Sequence, residues 1–342
     1  MPEHQRALGL EVSTSNLCSE ITLATGPDHR GQQRTAVCCL SSLNVETWSQ
    51  WHQQPGFIED VARFLDNVLQ QFIDHAPESM QRARYSAMRE RSIGLGVMGF
   101  HSFLQSQGIP MECALAKAWN QRIFGHVRRQ MDAASRQLAD ERGPCPDATE
   151  AACRERFSHK LAIAPTASIS IICGGVSACI EPIPANIYTH KTLSGSFTVR
   201  NRQLQALLAE RGQDNDATWQ SILEQEGSVQ HLECLSEDEK TVFRTAFEID
   251  QRWIIELAAD RAPLICQSQS LNLFLPADID KWDLHMLHYS AWQRGIKSLY
   301  YCRSKALQRA GFAGQLEQSS PATSTEPAAA SKTDYEECLA CQ

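Results

Sequence analysis

Between Phe57 and Ala76 the apolar residues Phe57, Val61, Phe64, Leu65, Val68, Leu69 and Phe72 recur at helical spacing, and Pro77 follows. Spacing of i, i+3, i+4 and i+7 puts them on one face of a helix, and proline ends it. An amphipathic helix of this length must lay its apolar face on other elements. Glu112 to Arg142 repeats the pattern through Leu115, Trp119, Ile123, Phe124, Val127 and Met131, and Gly143-Pro144 stops it. Lys160–Pro165, Ser270–Leu275 and Lys297–Cys302 read as short strands, whereas Asn201–Arg211, Glu237–Ala259 and Leu284–Gln293 read as helices. Strands mixed with helices in this order predict an α/β body.

Composition narrows what such a body does. Of 342 residues, 42% are hydrophobic and 21% charged, enough to bury a sizeable core. A net charge of −8 with no basic block argues against a nucleic-acid partner. The first thirty residues carry no apolar leader, and no apolar run approaches the ~20 residues that span a bilayer. Thirteen cysteines, an odd and scattered set, fit reduced thiols in a cytoplasmic protein better than a disulfide scaffold.

One motif is set aside. Gly94-x-Gly96-x-x-Gly99 matches the dinucleotide fingerprint in form, but the Arg/Glu-rich segment before it is helical in pattern and not a strand. Close backbone packing around small residues is the expectation.

The chemistry gathers in five places. Ser15-Asn16-Leu17-Cys18-Ser19-Glu20 alternates a carboxamide, a thiol and a carboxylate. In an extended segment Asn16, Cys18 and Glu20 would share one side. A buried cysteine is commonly a packing residue, but a carboxylate two positions away is an odd neighbour for one. Cys38 and Cys39 follow in a strand-like stretch, where only one can share a face with the site. Thr166-Ala167-Ser168-Ile169-Ser170 puts hydroxyls at a strand-to-helix turn, which suits either an anion or an ordinary helix cap. Tyr300-Tyr301 sets two phenols side by side, and in a strand these face opposite ways. From about Ala313 to Asp334 the chain is rich in Gln, Ser, Pro, Thr, Glu and Ala, a flexible tether, and then ends in Cys338-x-x-Cys341. Two cysteines are too few for a zinc site, whereas a dithiol on a tether suits disulfide exchange. His285-x-x-His288 has helical spacing but no third ligand, so no metal is expected. Thiols, an acid and paired phenols point to one-electron thiol chemistry.

These residues fall in SNLCSE (15–20), AVCCLSSLN (36–44), RSIGLGVMGF (91–100), LAIAPTASIS (161–170), IEPIPANIYTHKTLSGSF (180–197), CQSQSLNLFLP (266–276), KSLYYCRS (297–304) and ECLAC (337–341). Together and in this order they resemble the large, catalytic subunit of class I ribonucleotide reductases. The resemblance implies that Cys18 is the thiyl radical that takes the ribose 3′-hydrogen. It implies that Asn16 and Glu20 bind the ribose with Glu20 as base, and that Cys38 is one half of the reducing pair. Ser15, Thr166, Ala167, Ser168 and Ile169 would bind the substrate, the last four at its diphosphate. Tyr300 and Tyr301 would relay the radical, and Cys338 and Cys341 would re-reduce the site. No cofactor is expected in this chain: a metal-containing small subunit would supply the radical, and thioredoxin or glutaredoxin the electrons.

The implied fold is the C-terminal half of a ten-stranded α/β barrel with its finger loop (1–160), then a smaller α/β region carrying the diphosphate loop and relay (161–312), then the tether (313–342). Segments that precede SNLC in the family have no counterpart here, so an N-terminal partner fragment is expected. The competing readings are an inactive assembly module that binds the small subunit, and a segment of a cobalamin-dependent, class II reductase. The tyrosine pair and the cysteine tail favour class I.

Overall fold

The structure, a computed structural model, describes residues 1–192 and 195–304. The expected tether, Cys338 and Cys341 lie outside the described residues.

A row of parallel segments forms the spine. Strands β1 (Gly26–Pro27) and β2 (Gln33–Arg34) make a small antiparallel pair at its start. Next, β3 (Leu40–Asn44) runs parallel to β4 (Gly94–Met98), from Leu40 opposite Gly94 to Asn44 opposite Met98. Leu95 bridges to Leu161, and Ile163 bridges to Gln269, both in parallel. After the antiparallel hairpin β5 (Ile187–Thr192) and β6 (Gly195–Arg200), β7 (Leu273–Leu275) pairs in parallel with β8 (Cys302–Ser304). Parallel neighbours need long crossovers, usually helical. Here Phe57–His75 and Ala114–Arg142 supply the first two, and Lys281–Gln293 supplies the last. This is half of an α/β barrel laid out stave by stave.

The glycines of the 94–99 motif sit inside this spine. A Cβ on Gly96 would lie 2.5 Å from the Ala162 carbonyl oxygen and 3.1 Å from the Ile163 Cα. Gly94 and Gly96 therefore let neighbouring staves approach, and they belong to a strand that follows the helix Gln81–Glu90. Gly99, at φ 79°, then turns the chain into the helix Phe100–Ser106.

Several expectations need correction. On Phe57–His75 the buried stripe is Ile58, Ala62, Leu65, Asp66, Leu69 and Ile73, while Phe64 (62% exposed) and Val68 face outward. The inward stripe includes a charge because Asp66 meets Arg91 at 2.6 Å, Arg142 at 2.8 Å and Arg156 at 3.0 Å. Leu115 likewise faces outward from Ala114–Arg142. The single helix expected over Glu237–Ala259 is two, Glu237–Val242 and Gln251–Arg261. A capping box of Ser236 and Glu239 starts the first, and Asp250 caps the second by accepting from the Arg252 N–H. Between them Phe243 and Ile249 enter two different apolar clusters. Of Lys160–Pro165 only Leu161 and Ile163 bridge, and the last strand begins at Cys302, not at Lys297.

The main apolar cluster runs from Cys39 to Leu271 and takes residues from both sides of position 160. A separate cluster joins Ile187 of the hairpin to Leu204, Leu208, Trp219, Ile222 and Phe243.

Candidate active site

The segment around Cys18 is a tight turn and not an extended strand. The Ser19 N–H donates to the Asn16 carbonyl at 3.1 Å, and Ser19 takes the left-handed region at φ 64°. Asn16 Oδ1 accepts from the Ile21 N–H at 3.0 Å and closes the turn from the side. Leu17 stands out at the tip (65% exposed), whereas Cys18 and Glu20 are buried. Ser15 is exposed at the mouth of the turn.

Neighbouring staves hold this turn from below. The Ser270 hydroxyl donates to the Cys18 carbonyl and also lies 3.2 Å from Glu20 Oε2. The Ser268 N–H donates to the Glu20 carbonyl at 2.9 Å, and the Ser298 hydroxyl to the Ser19 carbonyl at 3.0 Å. Buried polar groups need such partners, and they fix the direction in which the Cys18 sulfur emerges.

That sulfur meets a phenol. The Tyr300 hydroxyl is hydrogen-bonded to both the Cys18 sulfur and Tyr301. Burial first, and these two hydrogen bonds next, hold it well above the ordinary phenol range. The two tyrosine rings lie 3.9 Å apart between centroids at 34°. They do not face opposite ways, because Tyr300 and Tyr301 precede the strand β8. The Tyr300 N–H donates to the Leu271 carbonyl, and the Tyr301 N–H to Asn272 Oδ1. Tyr301 is 46% exposed, so a chain of contacts leads from buried Cys18 through Tyr300 to the surface.

Cys38 and Cys39 part company as neighbours in an extended chain do. Cys39 enters the core, its sulfur 3.7 Å from the Leu65 carbonyl. Cys38 is open to solvent on one side. Burial on its other side, then the Glu20 carboxylate and the Cys18 sulfur, push its thiol up to about 11. Cys18, Glu20 and Cys38 thus share one electrostatic neighbourhood.

The 166–170 loop is built inward and outward at once. Thr166 is buried with φ 54°, and its hydroxyl accepts from the Cys179 N–H at 2.7 Å. Ala167, Ser168 and Ile169 are exposed, and Ile169–Ile172 forms one helical turn. Ala167, Ser170 and Ile171 line a cleft of about 470 Å³, and Glu181 and Arg303 line it too.

No group of three His, Cys, Asp or Glu suited to a metal occurs among the described residues. His288 Nδ1 is engaged with the Leu284 carbonyl at 2.8 Å, and His285 stacks near Tyr289. None of the eleven described cysteines is joined in a disulfide. No described helix is long and apolar enough to cross a membrane.

The sequence reading passed over Ser268, Ser270, Asn272, Ser298 and Glu181. A signal was present: Gln267, Ser268, Gln269, Ser270 and Asn272 crowd polar side chains just before an apolar strand. All five are buried, and several bind the backbone of other segments.

Comparison with known proteins bears on the whole assembly. The family model described as "Ribonucleotide reductase, barrel domain" matches residues 3–155 and 151–302. The ribonucleoside-diphosphate reductase large subunit of Invertebrate iridescent virus 3 is 46% identical over 310 residues, 90% of this chain and 48% of that protein. The putative large subunit of Frog virus 3 is 42% identical over 87% of this chain and 52% of that protein. Among solved structures, the Actinobacillus ureae class Id ribonucleotide reductase alpha subunit superposes with a TM-score of 0.81 at 35% identity, over 89% of this chain and 56% of that one. The chain thus spans about half the length of these two curated relatives. With both family-model matches together running from residue 3 to residue 302, the chain belongs to the ribonucleotide reductase barrel-domain family.

Proposed function

We propose that this chain is the C-terminal part of the catalytic subunit of a class I ribonucleoside-diphosphate reductase, an oxidoreductase that makes deoxyribonucleotides. The observation that carries this reading is the hydrogen-bonded series Cys18–Tyr300–Tyr301, leading from a buried thiol to the surface. A phenoxyl radical on Tyr300 takes a hydrogen atom from Cys18: the S–H bond breaks, the phenol O–H forms, and the radical moves to sulfur. The Cys18 thiyl then takes the 3′-hydrogen of the ribose. Asn16, beside Cys18, and Glu20, held by Ser270, bind the ribose hydroxyls, with Glu20 as the base. Cys38 supplies one of the two reducing thiols. Its neutral form at working pH suits hydrogen-atom and proton donation.

Thr166, Ala167, Ser168 and Ile169 hold the diphosphate of the substrate, and Ser15 meets the substrate from the mouth of the Cys18 turn. Cys338 and Cys341 re-reduce the site and are themselves reduced by thioredoxin or glutaredoxin. The oxidant is the radical of a metal-containing small subunit, which approaches exposed Tyr301. An upstream alpha-subunit segment completes the barrel. Cysteines that stay reduced among the described residues suit the cytoplasm.

The test is reduction of CDP with small subunit and dithiol supplied, by this chain alone and with the polypeptide encoded upstream. Product in the mixture only, lost in Cys18→Ser, is the expected result. No product in the mixture would overturn the reading in favour of an assembly module.

A further inference from the structure

Glu181 has no part in the chemistry above, yet it reaches Tyr301 by two routes. Asn272 Nδ2 donates to Glu181 Oε1 at 2.5 Å, and Asn272 Oδ1 accepts from the Tyr301 N–H at 2.9 Å. A carboxamide has one donor end and one acceptor end. A carboxylate at the donor end therefore fixes which end faces the Tyr301 backbone. The second route is Arg303, whose guanidinium lies 5.2 Å from the centre of the Tyr301 ring. Arg303 shares the wall of the cleft with Glu181 and is the cation that acts on it.

The geometry points to Glu181 as a positioning residue for the outer end of the relay, its carboxylate orienting Asn272 against the Tyr301 backbone and balancing Arg303 against the Tyr301 ring. This rests on the relay reading given above. In that reading Tyr301 gives an electron to the small subunit's radical centre and its phenol proton to the solvent it faces. The Tyr301 phenoxyl then takes a hydrogen atom from the Tyr300 hydroxyl, and Tyr301 returns to phenol. An unbalanced cation beside the ring opposes loss of the electron, because it destabilises the positive charge that develops there. An ionised Glu181 offsets that cation.

The charge on Glu181 changes in the working range. Burial pushes its carboxyl up to about 7, against the pull of Arg303 and of hydrogen bonds from Cys179 and Asn272. The Cys179 thiol is raised well above its ordinary value by burial and stays neutral. The same cleft is lined by Glu46, Arg200 and Arg202, of which Glu46 and Arg202 pair at 3.0 Å and Arg200 pairs with Asp216 at 2.9 Å. Below neutrality Glu181 takes a proton, Arg303 loses its counter-charge, and Tyr301 becomes harder to oxidise.

The experiment uses the assembled reductase with 3-aminotyrosine, which traps the radical, at position 301. Formation of the trapped radical is followed by electron paramagnetic resonance between about pH 6 and about pH 8. The parent should gain about tenfold in rate across this range. Glu181→Gln should be about tenfold slower at the upper end and flat with pH. Arg303→Met keeps the acid but removes the cation, and should also flatten the profile. It decides the matter if Glu181→Gln does not fold. Parent-like rates and pH profiles in both variants would overturn the inference and leave the relay standing. Absence of any trapped radical in the parent would instead overturn the relay reading, and this inference with it.

Discussion

The Tyr300 hydroxyl is hydrogen-bonded to the Cys18 sulfur, although 282 positions of sequence separate the two. Each residue is fixed by its own backbone partners: Cys18 by Ser270 through its carbonyl, and Tyr300 by Leu271 through its N–H. Those partners are adjacent in sequence, so the segment 270–271 sets the distance between thiol and phenol.

Ser270→Ala follows from this. The variant removes the hydroxyl that bridges the Cys18 carbonyl and Glu20, leaving buried acceptors unsatisfied. The expected cost is about 1–3 kcal/mol, concentrated in the turn. Hydrogen exchange at Ser19 and Ile21 should speed up while exchange on Ala114–Arg142 is unchanged. Uniform protection in the variant would contradict the bridging role.

Asp66 gives a stability prediction with a defined pH sign. Burial raises its carboxyl, but the hydrogen bonds and charges of Arg156, Arg91 and Arg142 outweigh it and hold the group below its ordinary value. A depressed carboxyl stabilises the fold above its unfolded pKa, and that contribution is lost as pH falls through the folded value. Asp66→Asn should therefore lower stability by about 3–5 kcal/mol near neutral pH, because it leaves buried arginines unpaired. The gap between parent and variant should narrow in acid below about pH 4. Denaturant melts at several pH values check both.

Gly96→Ala tests the close approach of staves. Its Cβ would press on the Ala162 carbonyl, which is backbone and cannot swing aside. The expected loss is about 1–3 kcal/mol, read from the denaturation midpoint. An unchanged midpoint would show that β4 and the 161–163 stave are not packed as described.

Cys38 should alkylate slowly at neutral pH, because its thiol is pushed up to about 11. Only the thiolate reacts, so the rate should climb about tenfold per pH unit between about pH 7 and about pH 9. Peptide mass spectrometry should find Cys39 protected under the same conditions, since it is buried in the core. Equal labelling of the two would contradict the alternation.

Much of this fold was legible because helices and strands have fixed periods. The helices Phe57–His75 and Ala114–Arg142 and the stop at Pro77 follow from spacing alone, although spacing misplaced the buried stripe of the first. The rest depended on partners far away in sequence. Asp66 reads as a solvent charge until Arg91, Arg142 and Arg156 surround it. The turn at Cys18 was hidden because Ser19 holds a left-handed φ with no glycine to announce it. The close approach of the Tyr300 and Tyr301 rings was hidden for a related reason: alternation applies within a strand, and these two stand just before one. Ser270 and Asn272 read only as strand residues, and their roles appear only when the 15–20 turn lies against the one and Tyr301 against the other.

The most direct measurement is CDP reduction by the reductase assembled from this chain, its upstream segment and a small subunit, comparing Tyr300→Phe with the parent. Phenylalanine keeps the ring and its packing but removes the hydroxyl that joins Cys18 to Tyr301. The account predicts unchanged nucleotide binding and a fall in turnover of at least about 10³-fold, the same as for Cys18→Ser. Turnover in Tyr300→Phe near that of the parent would mean that Cys18 is not oxidised through Tyr300.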